Sequence, residues 1–293
     1  MTDHWLLIAL VLTWAISWPV IKVGVASVPP LWFAALRYAI AAPCLFAVVA
    51  LRGELAWPPR SDLSLVALSS LLQMGAYSAL TGMALTVLPP GRASVLAFST
   101  PLWVVPLAAW RLRERLTRSG RAGVVLGLAG VLSIAAPSLD GGGHHLSAYA
   151  MLIGAAAAWA ITIVAVRAHR FAATALALAP WQMLIAAGAL LPMALLSEGA
   201  PPAIDVRGAA SLAYVGPVAT AFAYWAVVEA GRRYRASTMS IALLATPSLG
   251  IVISAGVLGE AVGMSLIAGV LLTGAGIGMV SLRPAPTRAK VPH

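Results

Sequence analysis

Residues 99–132 read STPLWVVPLAAWRLRERLTRSGRAGVVLGLAGVL, and residues 245–278 read ATPSLGIVISAGVLGEAVGMSLIAGVLLTGAGIG. At this offset of 146 residues the two stretches align without a gap, and a proline, a glutamate and two glycines fall in register. The aligned pairs are Pro101 with Pro247, Glu114 with Glu260, Gly123 with Gly269, and Gly130 with Gly276. The chain therefore contains an internal repeat.

The composition around this repeat is that of a membrane protein. Of the 293 residues, 61% are apolar and only 10% are charged, against about 25% charged in an average soluble domain. A membrane-spanning helix needs roughly 20 apolar residues. Ten apolar runs of about this length occur, at 5–25, 31–51, 63–86, 93–110, 119–136, 147–167, 174–196, 209–229, 236–257 and 262–282. The sequence predicts an all-α integral membrane protein with ten transmembrane helices.

Ten helices and one repeat predict two units of five helices each. We expect the first repeat at residues 1–138, the second at 146–283, and a short basic tail at 284–293. Since five is an odd number, two consecutive copies must cross the membrane in opposite directions, which makes an inverted-topology repeat. Inverted repeats are typical of transporters, because exchanging the conformations of the two halves turns a cavity from one side of the membrane to the other.

The positive charges predict the orientation of the chain. With the N-terminus in the cytoplasm, 15 of the 19 Lys and Arg residues fall in cytoplasmic loops or in the tail, as the positive-inside rule requires. The remaining four, assigned to the outside, are Lys22, Arg37, Arg92 and Arg207. We therefore expect both termini in the cytoplasm. The net charge of +10 then reflects orientation, and no nucleic-acid partner is predicted.

The two halves resemble the EamA-type branch of the drug/metabolite transporter superfamily. The resemblance is carried by WAISWPVIK at 14–22, by the stretch at 99–132, and by ATPSLGIVISAGVLGEAVGMSLIAGVLLTGAGIGMV at 245–280. It implies an exporter of small metabolites in the inner membrane, with a cavity lined by helices 1, 3, 4, 6, 8 and 9 and with helices 5 and 10 at the periphery. Within the superfamily, the chain is most similar to exporters of aromatic amino acids.

Aromatic and polar side chains inside the apolar runs are the candidates for substrate contact. Trp14, Ser17 and Trp18 are three and four residues apart, so they share one face of the first helix. That face either lines the substrate path or forms a packing stripe. Gln73 and Tyr77 are four residues apart in the third run, and a buried amide there needs a partner, which is either another helix or the substrate.

The aligned prolines mark a second group of candidates. Pro101 and Pro247 each remove one helical hydrogen bond and free a carbonyl about four residues earlier. Either proline alone fits a static kink, but interruptions at matching positions of two repeats favour a substrate site. The other residues predicted to contact substrate are Trp103, Trp159, Thr162, Tyr224, Ser240 and Ser248.

Other residues predict packing rather than binding. The small-residue faces of the fifth and tenth runs favour close helix contacts; they contain Gly123, Gly127, Gly130, Gly269, Gly274, Gly276 and Gly278. Glu114 and Glu260 stand at helix ends, where a carboxylate pairs with a cation or caps a helix.

The scarcity of ionisable groups within the runs argues against several functions. No Asp or His lies at the middle of a run, and Glu229 lies toward the end of its own. Proton exchange on a central carboxylate, a metal site and acid–base catalysis are therefore disfavoured. We expect no cofactor, no metal and no enzymatic activity.

Together these observations predict a transporter that exports amino acids, aromatic or bulky and apolar, by alternating access through a central cavity. A drug or other metabolite exporter of the same superfamily is the alternative. From another class, an intramembrane enzyme is disfavoured because its catalytic groups are missing. The expected partners are a small-molecule substrate and the lipid bilayer, and the sequence is compatible with a monomer.

Overall fold

The computed structural model describes residues 4–114, 117–136, 143–234 and 236–281, and within these ranges the chain forms helices and no strand. The helices are α1 (Trp5–Ser27), α2 (Pro30–Leu51), α3 (Leu63–Val87), α4 (Pro90–Arg111), α5 (Arg118–Ala135), α6 (Gly143–Ala168), α7 (Ala175–Glu198), α8 (Val206–Arg233), α9 (Ala236–Leu258) and α10 (Met264–Ser281). By length and apolar composition, α1 to α8 are eight candidate membrane spans. The apolar helical segments Ala242–Leu258 and Met264–Val280 are shorter. The chain is a multi-pass membrane protein.

Two helices contain π-helical stretches at corresponding places. In α3 the stretch is Ser69–Ala76, and in α8 it is Val215–Phe222. The first residues of the two stretches are 146 residues apart, as are their last residues, and 146 is the offset of the sequence repeat. The first residues of α5 and α10 are also 146 residues apart, and so are their last residues. These four elements therefore share the offset of the sequence repeat.

Pro101 follows a break in α4. The helix runs as Pro90–Ala97 and resumes as Thr100–Arg111. Because proline has no N–H group, the carbonyl of Ala97 loses its helical donor. The hydroxyl of Thr100 donates to that carbonyl at 2.9 Å, so the freed acceptor is satisfied locally. Pro247, by contrast, lies inside α9 without interrupting it.

The α5–α10 contact brings the backbones of the two helices together. A Cβ atom added to Gly276 would lie 2.5 Å from the carbonyl oxygen of Gly123, and one added to Gly130 would meet the backbone of Thr273 at 2.6 Å. Small residues permit this approach, as the sequence predicted. Gly274 was wrongly included in the contact face, since its Cβ position has no atom within 4 Å.

Asp62 fixes the loop between α6 and α7 from the start of α3. Its buried carboxylate lies 2.9 Å from His169 Nε2 and accepts the backbone N–H groups of Ala172 and Ala173, both at 3.0 Å. The hydrogen bond with His169, together with those backbone groups, holds the pKa of Asp62 below its usual range, although burial acts in the opposite direction. The stabilisation by this carboxylate is therefore lost only when the pH falls through that lowered pKa.

Candidate functional site

Seven helices enclose a cavity of about 170 Å³. The lining comes from α1, α2, α3, α4, α6, α7 and α8, and consists of Trp14, Ser17, Trp18, Ile21, Arg37, Tyr38, Gln73, Met74, Tyr77, Thr81, Phe98, Trp159, Met183, Ala219, Thr220, Tyr224 and Val227. Aromatic walls with a few polar groups are typical of sites for small organic molecules. Both π-helical stretches contribute to the lining, which fits the frequent occurrence of π-helix at functional sites.

The cavity brings together seven of the thirteen residues predicted to contact substrate. These seven are Trp14, Ser17, Trp18, Gln73, Tyr77, Trp159 and Tyr224. Five others, which are not part of the lining, are Pro101, Trp103, Thr162, Pro247 and Ser248. The side chain of Ser240 lies outside the described residues. Substrate contact itself remains a prediction for all thirteen.

The predicted residues outside the lining have other surroundings. Trp103 donates its indole N–H to the hydroxyl of Ser99 at 3.2 Å. Thr162 is buried and donates to the carbonyl of Ala158 in its own helix at 3.2 Å. Pro247 is buried, whereas Ser248 is exposed. These side chains stand behind or away from the cavity wall.

Edge contacts between aromatic rings build two walls of the cavity. The rings of Trp14 and Trp18 both contact Phe98, with centroid distances of 6.5 and 6.2 Å. On the other wall, Tyr77 meets Trp159 edge-on, at a centroid distance of 5.0 Å and an angle of 77°. Tilted and edge-on pairs are favourable arrangements for aromatic rings, so each pair helps to hold its members in place.

Several polar groups of the lining differ in how far the protein satisfies them. Tyr224 donates its hydroxyl to Gln182 Oε1 at 3.2 Å, and Ser17 donates to the carbonyl of Trp14 at 2.7 Å. The hydroxyl of Thr81 is buried and has no hydrogen-bond partner among the described residues. The amide of Gln73 likewise makes no hydrogen bond within the described ranges, so the helix-to-helix bond considered from the sequence is not present there.

Arg37 is a lining residue that the sequence interpretation missed. It lies inside α2, with Nε donating to the hydroxyl of Thr220 at 2.7 Å and Cζ 5.4 Å from the ring centre of Tyr38. Arg37, which was assigned to the outside of the membrane, lies within a helix rather than in a loop. The position of Arg37 within the apolar run 31–51 was the available signal.

The lining also differs from the one implied by the family resemblance. Among the described residues α9 contributes no side chain to the cavity, whereas α2 and α7 do. Arg37 and Tyr38 reach the cavity from α2, and Met183 reaches it from α7. Two helices that were not among those implied by the resemblance therefore contribute to the cavity lining.

The predicted roles of Glu114 and Glu260 agree with their contacts at opposite ends of α4. Glu260 accepts the backbone N–H of Gly91 at 2.8 Å, at the start of α4, while Glu114 pairs with Arg167 Nη2 at 2.6 Å beyond its end. Burial raises the pKa of Glu260, although the N–H of Gly91 and the nearby charges of Arg92 and Lys22 act to lower it.

Lys22 completes the contacts at the start of α4. Its ammonium group donates to the carbonyl oxygens of Leu85 at 2.6 Å and of Thr86 and Leu88 at 3.3 Å. These carbonyls belong to the end of α3, where the helix dipole favours a cation. A lysine of α1 thus joins the end of α3 on the same side of the molecule as Glu260.

Known proteins are similar to this chain over nearly its full length. A "Probable amino-acid metabolite efflux pump" of Salmonella typhimurium is 29% identical over 94% of this chain and 93% of its own. A "Probable terminal-alkyne amino-acid exporter" of Streptantibioticus cattleyicolor is 28% identical over 95% and 93%. A solved crystal structure matches with a TM-score of 0.64 at 23% identity, over 95% of this chain and 96% of that one, and supports the fold.

The profile of the EamA-like transporter family matches twice, at residues 2–136 and 146–282. The two matches together cover most of the chain, and the family and the names of the relatives indicate a transporter rather than an enzyme. The resemblance noted in the sequence is thereby confirmed. This chain belongs to the EamA-like transporter family.

Proposed function

We propose that this protein exports amino acids, aromatic or bulky and apolar, across the inner membrane by alternating access through the cavity described above. The observation that carries the proposal is the cavity itself, because it combines indole and phenyl surfaces with unpaired polar groups in a chain whose relatives are named as amino-acid exporters. Aromatic surfaces favour aromatic solutes through stacking and edge contacts.

The proposed architecture has ten membrane spans in two inverted repeats, 1–138 and 146–283, followed by the tail 284–293. Support comes from the two family matches, from the π-helical stretches at the same offset, and from the asymmetry of the positive charges. In this arrangement α9 and α10 also span the membrane, and both termini lie in the cytoplasm. The tail lies outside the described residues.

Seven lining residues are the proposed substrate contacts, and the two prolines are proposed to shape the moving helices. Trp14, Trp18 and Trp159 would supply the stacking surface. Gln73 would supply an amide group that makes no hydrogen bond with a described residue. Pro101 and Pro247 stand at matching positions of helices that alternating access would have to tilt against their neighbours.

Alternating access also requires contacts that close each end of the path in turn. Glu260 and Lys22 lie at one end of α4, and Glu114 with Arg167 lies at the other. The sequence repeat pairs Glu114 with Glu260, and Lys22 occupies the place of Arg167 after the repeated Trp-Ala-Ile segments. We propose that these two groups of charges act as alternating closures.

Efflux from liposomes tests the proposed function. The purified protein is reconstituted in vesicles loaded with phenylalanine, tryptophan, leucine or glycine, and the release of each is followed against protein-free vesicles. We expect faster release of the aromatic and bulky apolar amino acids than of glycine. Absence of release above protein-free vesicles for every amino acid would contradict the proposal. Release of an apolar drug alone would favour the drug-exporter alternative.

A further inference from the structure

We propose that Arg37 selects the solute by binding a carboxylate group, and that the cavity accepts apolar monocarboxylates whether or not they carry an α-ammonium group. This inference rests on the proposed function of the cavity and deepens it, because it names the group that is recognised and the group that is dispensable.

The first step is the unbalanced charge of Arg37. An arginine within a membrane-spanning helix is costly unless it faces a cavity or a partner that compensates its charge. No carboxylate among the described residues lies within 4.0 Å of its guanidinium group. Two groups that it contacts, the hydroxyl of Thr220 and the ring of Tyr38, are uncharged. The cavity therefore carries a positive charge that the described protein groups leave unbalanced.

The second step is that the described carboxylates are committed elsewhere. Three of them pair with arginines, and four accept hydrogen bonds from backbone N–H groups; these are Glu54, Glu114 and Glu229, and Asp62, Glu198, Asp205 and Glu260. A rearrangement that supplied Arg37 with one of them would leave a helix end or another arginine without its partner. The counter-charge is therefore best supplied by the solute.

The third step is the geometry of the guanidinium group. Only Nε donates to a described acceptor, the hydroxyl of Thr220 at 2.7 Å. The bond orients the planar group, and the Nη donors on its other edge have no acceptor among the described residues. A planar pair of donors matches the two oxygens of a carboxylate. Thr220 thus acts as a positioning residue for Arg37.

The fourth step concerns the amino group of an amino acid. No acidic side chain is among the described residues that line the cavity, whose side chains offer an ammonium group the amide oxygen of Gln73, hydroxyls and aromatic faces. These contacts are weaker than an ion pair in a cavity that already holds a cation. Recognition of the carboxylate therefore outweighs recognition of the ammonium group.

Four phenylalanine derivatives separate the two groups in a binding experiment. Phenylalanine has both charges, N-acetylphenylalanine only the carboxylate, phenylalaninamide only the ammonium group, and N-acetylphenylalaninamide neither. Binding to the full chain in lipid nanodiscs is measured by calorimetry. We expect both carboxylates to bind at least roughly tenfold more tightly than both amides, since a charge-assisted hydrogen-bonded pair contributes on that scale.

Variants of Arg37 connect this preference to the residue. Arg37→Gln should remove the tenfold preference for carboxylates, and Arg37→Lys should retain part of it, because the charge remains and the planar donor pair is lost. Arg207→Gln, at an exposed site on α8, is the matched control and should keep the preference. The melting temperature of each variant checks folding, and a purely structural role would change that temperature without changing the ratio of acid to amide binding.

The outcomes separate this inference from the proposed function. Equal binding of acids and amides by the wild type, no binding of either acid, or an unchanged preference in Arg37→Gln would overturn the role of Arg37. Carboxylate-selective binding without amino-acid efflux from liposomes would overturn the proposed function and leave the role of Arg37 in place. Amino-acid efflux without a carboxylate preference would overturn the role of Arg37 and leave the proposed function in place.

Discussion

Single residues determine what the cavity offers to a solute. Trp14, Trp18 and Trp159, which the sequence singled out, line the cavity with broad apolar surfaces, and their contact with substrate stays a prediction. Arg37 was missed because the count of charges treated every arginine as a sign of orientation, although its place within the apolar run 31–51 pointed to a helix. The fold brings Arg37 into the cavity lining, where it contacts Thr220, 183 positions away in the chain.

Trp159 gives a test at the residue scale. Trp159→Ala removes a wall of the cavity and the edge contact with Tyr77, so we expect the apparent affinity for aromatic amino acids in the efflux assay to fall roughly twofold to tenfold. Trp110→Ala is the matched control, since Trp110 is 78% exposed and does not line the cavity. If both variants lost affinity equally at equal amounts of inserted protein, the substrate would not bind at this wall of the cavity.

Helical elements explain why some features of this fold escape prediction from the sequence. Apolar runs predicted the helices because burial in lipid requires long apolar segments. The π-helical stretches Ser69–Ala76 and Val215–Phe222 were not predicted, because one wide turn changes the apolar pattern too little to be noticed in a run that is apolar on all sides. The small-residue face of α5 was visible, but which glycines of α10 meet it depends on the rotation of that helix.

Gly276 and Gly274 test the α5–α10 contact at the scale of elements. In Gly276→Val the new side chain would collide with the backbone of α5, and overpacking of this kind costs about 1–3 kcal/mol. We expect a melting temperature in detergent several degrees below that of the wild type. Gly274→Val adds the same atoms to the same helix in open space and should leave the melting temperature nearly unchanged. A similar fall in both would mean that helix propensity, rather than contact, is responsible.

At the scale of the whole molecule, the two proposed closures lie at opposite ends of α4. A cysteine in the cavity reports on them. Cys44, the single cysteine of the sequence, is first replaced by serine, and Thr81→Cys is then added. This second change loses no hydrogen bond, because the Thr81 hydroxyl has no partner among the described residues. Adding Glu260→Gln should increase labelling by a membrane-impermeant maleimide from outside the cell, because the neutral side chain accepts the N–H of Gly91 less strongly and no longer attracts the nearby charge of Lys22. Labelling is measured in intact cells and in inverted vesicles.

The control for this experiment is Glu229→Gln, since Glu229 pairs with Arg232 and Arg233 of its own helix and belongs to neither proposed closure. Lowering the external pH should increase labelling as Glu260→Gln does, because the charged closure is lost as the pH falls through the pKa of Glu260. Burial raises this pKa, so the increase should occur at a higher pH than the protonation of an exposed glutamate. If the parent cysteine variant, Glu260→Gln, Glu229→Gln and the low-pH sample were all labelled at the same rate, Glu260 would not be part of the closure.

The spacing of the matching π-helical stretches also bears on how the two halves diverged. A residue inserted into one half after the halves had become separate copies would change the spacing between corresponding helices from that point onward. The spacing is 146 residues at both π-helical stretches and still 146 residues at α5 and α10, which follow them. From the wide turns to the last helices the two halves have therefore kept the same number of residues, and the two wide turns occupy equivalent positions in the repeat.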